Sequence, residues 1–253
     1  MKHTESWKPT KFELQNGKLV STFNHQYIAY GSPLNAQWVA DKYTKYIPIY
    51  CQGHLADVGC GNLPFYGYYR DFVENITAID WENSTHLNCH LDILADLNNP
   101  PIPSLQPDTF DCVIMSDMLE HIFEPAHLVD EVARILKPGG HILMNVPFYY
   151  YVREIPHDFH RYTEFALTRY FEQSGFEIVI LDRLGGVGTV LTCLFSQAIS
   201  KYGVLGRTTA TLLQRFALMI RGIRPIRSLL TNGSERVPTG YFLVAKKKDN
   251  NDG

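Results

Sequence analysis

The sequence predicts an α/β protein built on a doubly wound, mostly parallel sheet, and three observations carry that expectation. An apolar run, Leu55-Ala56-Asp57-Val58, breaks at Gly59-Cys60-Gly61, the pattern of a buried strand that ends in a tight turn into a helix. A second strand-like run, Asn75 to Ile79, ends in Asp80, which lies 80 − 61 = 19 residues after Gly61. A doubly wound sheet presents an acid to ribose hydroxyls at an interval of about 20 residues. Strand-like and helix-like patterns then alternate along the chain, and such alternation builds parallel sheets covered on both faces.

The elements follow in order. Residues 11–22 alternate loosely around Asn16-Gly17, a two-residue turn signal that predicts a small hairpin. Ser32-Pro33 reads as an N-cap with a first-turn proline, opening a helix to about Tyr46 with Trp38, Val39, Tyr43 and Tyr46 near one face. This hairpin and helix (residues 1–50) form an N-terminal cap placed to cover a cofactor pocket. The core, residues 51–183 plus 238–247, holds the strands 55–58 and 75–80, a short strand near Leu87–Leu91, and a proline-rich loop at 98–107. The strand 110–115 and a helix at about 125–136 follow, closed by Lys137-Pro138-Gly139-Gly140. The strand 141–147, a helix at 163–174 ended by Gly175, the strand 176–181 and a last strand at 240–246 complete it. All 253 residues are read as one domain with a helical insertion at 184–237.

Composition sets bounds. The chain is 45% hydrophobic and 19% charged with a net charge of −3, an ordinary globular balance without the basic footprint of a nucleic-acid binder. Its five cysteines, 51, 60, 89, 112 and 193, form no CxxC pair and read as buried thiols of a reducing cytoplasm. No metal-ligand set is assigned. The N-terminus has no apolar stretch of the secretory kind.

The ordered series LADVGCG, ITAIDW, DILADL, FDCVIMSDMLEHI, LKPGG and VPF resembles the class I S-adenosylmethionine-dependent methyltransferases, in particular the bacterial group called type 11. The resemblance runs from about Tyr27 to Leu181 and takes in the last strand. It implies a Rossmann-like fold, S-adenosylmethionine as cofactor, and roles for individual residues. Asp80 would accept from both ribose hydroxyls, and Trp81 would lie against the adenine face. Asp96 and Leu97, with backbone near Ser116, would form the adenine slot, while Asp57 and the turn Gly59, Cys60 and Gly61 would serve the methionine end. Structural readings stand beside these: Asp57 as a brace for the turn, Trp81 as core. The chain departs from many relatives at Leu63, where they carry a further glycine. An oxidoreductase with a dinucleotide is the rival reading of the turn; it wants that third glycine and room for a pyrophosphate, which Leu63 and Phe65 crowd.

Methyl transfer needs mainly an in-line approach of acceptor to methyl group, with a general base where the acceptor is a hydroxyl. His121, His157 and His160 are the candidate bases; their loops leave the C-terminal edge of the sheet, where ligands of open α/β sheets bind. Relatives often carry H-E-x-P-x-D-x-x-R-Y-T after the fifth core strand, and here Arg153 replaces the histidine. Asp158, Arg161 and Thr163 read as an ion pair and N-cap that fix this loop. No Asn-Pro-Pro-Tyr or Pro-Cys motif of the nucleobase enzymes is present. The expected activity is methylation of oxygen on a small molecule or glycan. The alternatives are a nitrogen acceptor, or a non-catalytic member of the fold acting as a binding scaffold.

The insertion carries its own pattern. Residues 184–200 are uncharged yet interrupted by Gly, Ser, Thr and Gln, short of the roughly 20 apolar residues of a membrane span. Further on, Leu212, Phe216, Met219, Ile220 and Ile223 share one helical face, with Arg207, Gln214, Arg215 and Arg221 opposite. No acidic residue occurs between Asp182 and Glu235. Two readings remain open. One is a helical hairpin whose apolar faces pack together or on a second copy in a homodimer. The other is an interfacial element that holds a cytoplasmic protein at the inner membrane surface.

Overall fold

The computed structural model describes residues 4–82 and 90–249. Strands β1 (Phe12–Gln15) and β2 (Lys18–Ser21) pair antiparallel. Asn16 and Gly17 between them both take positive φ, 51° and 71°, which matches the twist of a two-residue hairpin. Helix α1 (Pro33–Tyr50) starts at its proline and leads into β3 (His54–Val58). The core continues through α2 (Tyr66–Tyr69), β4 (Asn75–Asp80), β5 (Ile93–Leu94), β6 (Phe110–Ser116), α3 (Pro125–Ile135), β7 (Leu136–Pro147), α4 (Glu164–Gln173) and β8 (Phe176–Leu184). Three helices, α5 (Val187–Ile199), α6 (Gly203–Ile220) and α7 (Arg224–Thr231), precede the last strand, β9 (Gly240–Lys247).

The large sheet has seven strands in the order β5-β4-β3-β6-β7-β9-β8, parallel except for β9, which runs antiparallel to both neighbours. The chain winds outward from β3 to β4 and β5, then returns to place β6 on the other side of β3. This reversal opens a crevice at the carboxyl ends of β3, β4 and β6. The register brings Val58 beside Ile79 and Asp57 beside Ile114, so the glycine turn, Asp80 and Ser116 meet there.

Each strand feeds two cores by its period of two. Cys112 and Ile114 of β6 face the layer of α1 and α2, together with Tyr43, Phe65, Tyr69 and Phe242. Val113 and Met115 face the opposite layer, against Val129, Val132 and Phe171 of α3 and α4.

Several expected boundaries move. The helix after the glycine turn is a single turn, Tyr66–Tyr69. Lys137–Gly140 do not cap a helix but extend β7 backward, its Leu136 paired with Phe110 across an irregularity. A short strand forms at Ile93–Leu94, and the strand expected near Leu87–Leu91 falls mostly on residues 83–89, Cys89 among them, which lie outside the described residues. Cys51, Cys60, Cys112 and Cys193 are buried free thiols.

The insertion departs furthest from the hairpin reading. It has three helices, and α5 and α6 rest on α1 through small and polar residues rather than large apolar ones. Gly206, Ala210, Gln214 and Ala217 form the buried row of α6, while Leu212, Phe216, Met219 and Ile223 are exposed. Close approach decides this: a Cβ at Gly206 would meet the Ile199 carbonyl at 2.1 Å. Gln214 is locked in place, its Oε1 accepting from Leu34 N at 2.8 Å and its Nε2 donating to Ser196 Oγ at 3.0 Å. Among the described residues no helix is long and apolar enough to cross a membrane.

Candidate active site

A cavity of about 550 Å³ fills the crevice at the ends of β3, β4 and β6, bordered by residues 26–36 and by the loop after β7. Its floor is the glycine turn. Gly59 N and Cys60 N donate to Ile79 O at 2.9 and 3.2 Å, which pins the turn to β4. Gly59 and Gly61 both have positive φ, and a Cβ on Gly59 would meet Met118 Cγ at 2.1 Å. Leu63 also takes a left-handed φ of 51°, which accounts for the glycine of relatives at this position. Its side chain is fully buried, so the chain gives up backbone ease there for packing.

Asp80 stands at the end of β4. Its Oδ2 accepts from Gly61 N at 2.7 Å and its Oδ1 from Trp81 N at 2.7 Å. Asp57 lines the cavity as a buried acid. Burial pushes its pKa up to about 7, with Tyr69 donating to Oδ2 at 2.9 Å in opposition and the charge of Asp80 adding to the rise. A buried carboxylate of this kind favours a cationic ligand group. Trp81 borders the cavity edge-on to the His157 ring at a centroid distance of 5.4 Å. Asp96, Leu97 and Ser116 line it too. Asp96 also shapes its own loop, accepting from Asn98 N and Asn99 Nδ2, and Ser116 Oγ donates to Asn145 Oδ1 at 2.7 Å. The cofactor-site residues named from the sequence therefore all border one cavity: Asp57, Gly59, Cys60, Gly61, Asp80, Trp81, Asp96, Leu97 and Ser116.

The three histidines separate. His121 and His157 line the cavity; His160 does not, and its Nε2 lies 3.1 Å from the Phe123 carbonyl on the far side of the loop. His121 Nδ1 sits 2.6 Å from His157 O. A carbonyl only accepts, so His121 Nδ1 is the donor in this contact, and Nε2 faces Glu120 Oε1 at 3.8 Å and Glu154 Oε2 at 4.0 Å. His121 Nε2 is buried without a hydrogen-bond partner among the described residues. The loop brace read from the sequence is present: Arg161 donates to both oxygens of Asp158, and Thr163 caps α4 by accepting from Ala166 N.

Sequence reasoning missed an ionic cluster under the cavity. Asp117, at φ 48°, accepts from Lys11 of the N-terminal cap at 2.5 Å and from Asn145 Nδ2 at 2.6 Å, with Arg153 at 4.0 Å. Burial alone would raise the Asp117 pKa, but Lys11 and Arg153 hold it down at about 2. Glu120, three residues on, accepts from Arg153 at 3.0 Å; burial and the Asp117 charge push its pKa up against that cation. Arg153, the residue that replaces the relatives' histidine, is thus a half-buried cation between two acids. The signal was the run Ser116-Asp117-Met118-Leu119-Glu120-His121, four polar residues directly at a buried strand end. Ser32, Tyr150 and Tyr151 bring three hydroxyls together at the other wall, in mutual hydrogen-bond contact.

A seven-stranded sheet of this order, with a glycine turn and an acid at adjacent strand ends, defines a class I methyltransferase fold. Residues 56–144 match the family described as a methyltransferase domain. A ubiquinone biosynthesis O-methyltransferase of Xylella fastidiosa (strain M23) is 36% identical over 44% of this chain and 54% of that protein. The chain spans about half the length of the curated relatives it matches. Among solved structures, an S-adenosylmethionine-dependent methyltransferase from Archaeoglobus fulgidus superposes with a TM-score of 0.54 at 16% identity, over 83% of this chain and 94% of that one. The [4+2]-cyclase SpnF superposes at 0.55 with 17% identity over 95% and 87%. At such identities the likeness is one of fold, and the cyclase shows that the fold by itself does not name a reaction.

Proposed function

We propose that this protein is an S-adenosylmethionine-dependent methyltransferase acting on an oxygen of a small molecule or glycan. The observation that carries the reading is the joint placement of Asp80, the glycine turn and buried Asp57 around one cavity. Those residues fit the cofactor: the glycine turn brings main chain to the cavity floor, Asp80 is a carboxylate acceptor of the kind a diol pairs with, and Asp57 suits an ammonium group. Trp81 and Leu97 offer apolar surface to a flat base. When bound, S-adenosylmethionine supplies a methyl group on a sulfonium, already activated toward nucleophiles.

The chain's own residues then position and deprotonate. His121, oriented by the contact of its Nδ1 with the His157 carbonyl, takes the proton of an acceptor hydroxyl at Nε2. The hydroxyls of Ser32, Tyr150 and Tyr151 orient a polar acceptor on the opposite wall. The likeness to curated O-methyltransferases supports oxygen over nitrogen as the acceptor atom. A non-catalytic scaffold is the second reading, supported by the breadth of the fold.

Calorimetry with S-adenosylmethionine and S-adenosylhomocysteine tests the cofactor. Both should bind, and Asp80→Ala should weaken binding by about 10- to 100-fold, the loss of charge-assisted hydrogen bonds. Absence of binding by either ligand would end the proposal. His121→Gln should keep the affinity and lose turnover on any hydroxyl acceptor the wild type methylates. Tight binding with no transfer to phenols, sugars or amines would favour the scaffold.

A further inference from the structure

The insertion is built inside out. Inward, α5 buries Thr189, Val190, Cys193 and Ser196, and α6 buries Gly206, Ala210, Gln214 and Ala217. The polar members of that row are satisfied: Thr189 accepts from Trp38 Nε1 and donates to Leu230 O, and Gln214 bridges Leu34 and Ser196. The packing is therefore specific and fixes which way the helices face. Outward, α5 turns Leu191, Leu194 and Phe195 to solvent, and α6 turns Leu205, Leu212, Phe216 and Met219. Phe195 is 58% exposed, Leu205 79%, Phe216 55% and Met219 72%. Their spacings of three, four and seven residues make each set a single stripe. A contiguous outward stripe of large apolar side chains on fixed helices calls for an occupant, unlike single exposed leucines.

Charge identifies the occupant. From residue 183 to 234 the chain holds no acidic side chain. Lys201, Arg207, Arg215, Arg224 and Arg227 are exposed, and none forms an ion pair among the described residues, whereas Arg221 reaches Asp41 and Arg183, at the end of β8, reaches Glu164. A second copy of this chain related by a two-fold axis would set these cations against their own images. An anionic lipid surface accepts both features, apolar stripes at the acyl boundary and arginines among the headgroups.

We propose that α5 and α6 dock this protein on an anionic bilayer, lying in its interface with the outward apolar stripes inserted. The docking face is tied directly to the cavity rim. His25 Nε2 meets Thr211 Oγ1 at 3.1 Å, and Gly31 N donates to Gln197 Oε1 at 3.3 Å, while Gln26 to Ala29 and Ser32 border the cavity. The docked helices thus hold the rim that borders the cavity. The inference stands apart from the methyl-transfer reading, because lipid docking requires neither cofactor nor acceptor.

Flotation with phosphatidylcholine vesicles, with and without phosphatidylglycerol, tests it on the full chain. The wild type should float with the anionic vesicles at low ionic strength, and less as salt shortens the Debye length to about 8 Å at physiological strength. Each cation near such a surface strengthens partitioning about fivefold, so Arg207→Glu with Arg224→Glu should lower it well over tenfold. Phe216→Ser with Met219→Ser should lower it too, and both pairs are exposed enough to keep the wild-type circular dichroism and melting point. If the apolar pair unfolds the protein, the charge pair decides alone. A wild type that stays unbound overturns the inference, as does binding that neither pair weakens. A concentration-dependent dimer lost in Phe216→Ser, without vesicle binding, overturns it in favour of a second copy.

Discussion

At Leu63 two penalties compete on one residue. The left-handed backbone costs a side chain about 1–2 kcal/mol, and glycine would be spared it. Leu63 is also fully buried, and deleting a core leucine side chain costs about 2–5 kcal/mol. Burial wins, so Leu63→Gly should lower the melting temperature by several degrees even though it restores the residue of many relatives. A rise in the melting point would show that strain dominates. Gly59 is the opposite case, because a Cβ there meets Met118 and the backbone is left-handed at φ 67°. Gly59→Ala should weaken S-adenosylmethionine binding about tenfold or more by calorimetry, the size of that strain once it falls on the ligand-bearing turn. Both glycines and Asp80 were legible in the sequence, since a turn flanked by strands and an acid 19 residues on is a local pattern. The ionic cluster was not. Nothing in the spacing of Lys11, Asp117 and Arg153 announces that a hairpin, a strand end and a loop converge.

Elements were legible where one face decides them. The strands β3, β4, β6 and β7 and the helices α3 and α4 carry apolar periodicity that the sheet simply buries. In α6 the same rule points the wrong way, because the larger apolar stripe faces out and the smaller, glycine- and glutamine-bearing row faces in. Hydrophobic periodicity measures an amphipathic contrast, and its sign depends on what lies on each side. The buried row makes a checkable claim about energetics. Gln214→Leu would leave Leu34 N and Ser196 Oγ without their present partner, at about 1–3 kcal/mol for each unsatisfied group. Thermal unfolding of Gln214→Leu should therefore show a loss of stability, whereas the exposed Leu212→Gln should be close to neutral. Equal loss in both variants would show that the apolar stripe is packed in solution.

At the scale of the whole molecule, the cap, the sheet and the loop after β7 meet at acids whose protons are bound unequally in the folded and unfolded states. Asp117 falls to about 2 when folded, below its usual value near 3.9, so its contribution is present above that value and fades as pH drops toward 2. Asp57 rises to about 7 and Glu120 also rises, chiefly through burial. The folded protein then holds more protons than the unfolded chain between about pH 4 and 7, and these two acids make stability decline as pH rises through that window, each by up to about 1.4 kcal/mol per pH unit. His54 and His141 act the other way. Burial lowers their pKa values, so their part is lost as pH falls below about 6.5. The two effects overlap, and a single melting curve does not separate them. The difference between wild type and Asp57→Asn does, because the substitution removes one titration and leaves the histidines alone. Subtracting the variant's melting points from the wild type's, from pH 5 to pH 8, should give a value that falls toward pH 7 and then levels. Ligand binding should reverse the trend: a cationic group beside Asp57 favours the ionised carboxylate, so S-adenosylmethionine should bind more tightly at pH 8 than at pH 6, and Asp57→Asn should flatten that dependence. An affinity that is flat with pH in the wild type would mean that Asp57 braces the turn without meeting the cofactor's charge.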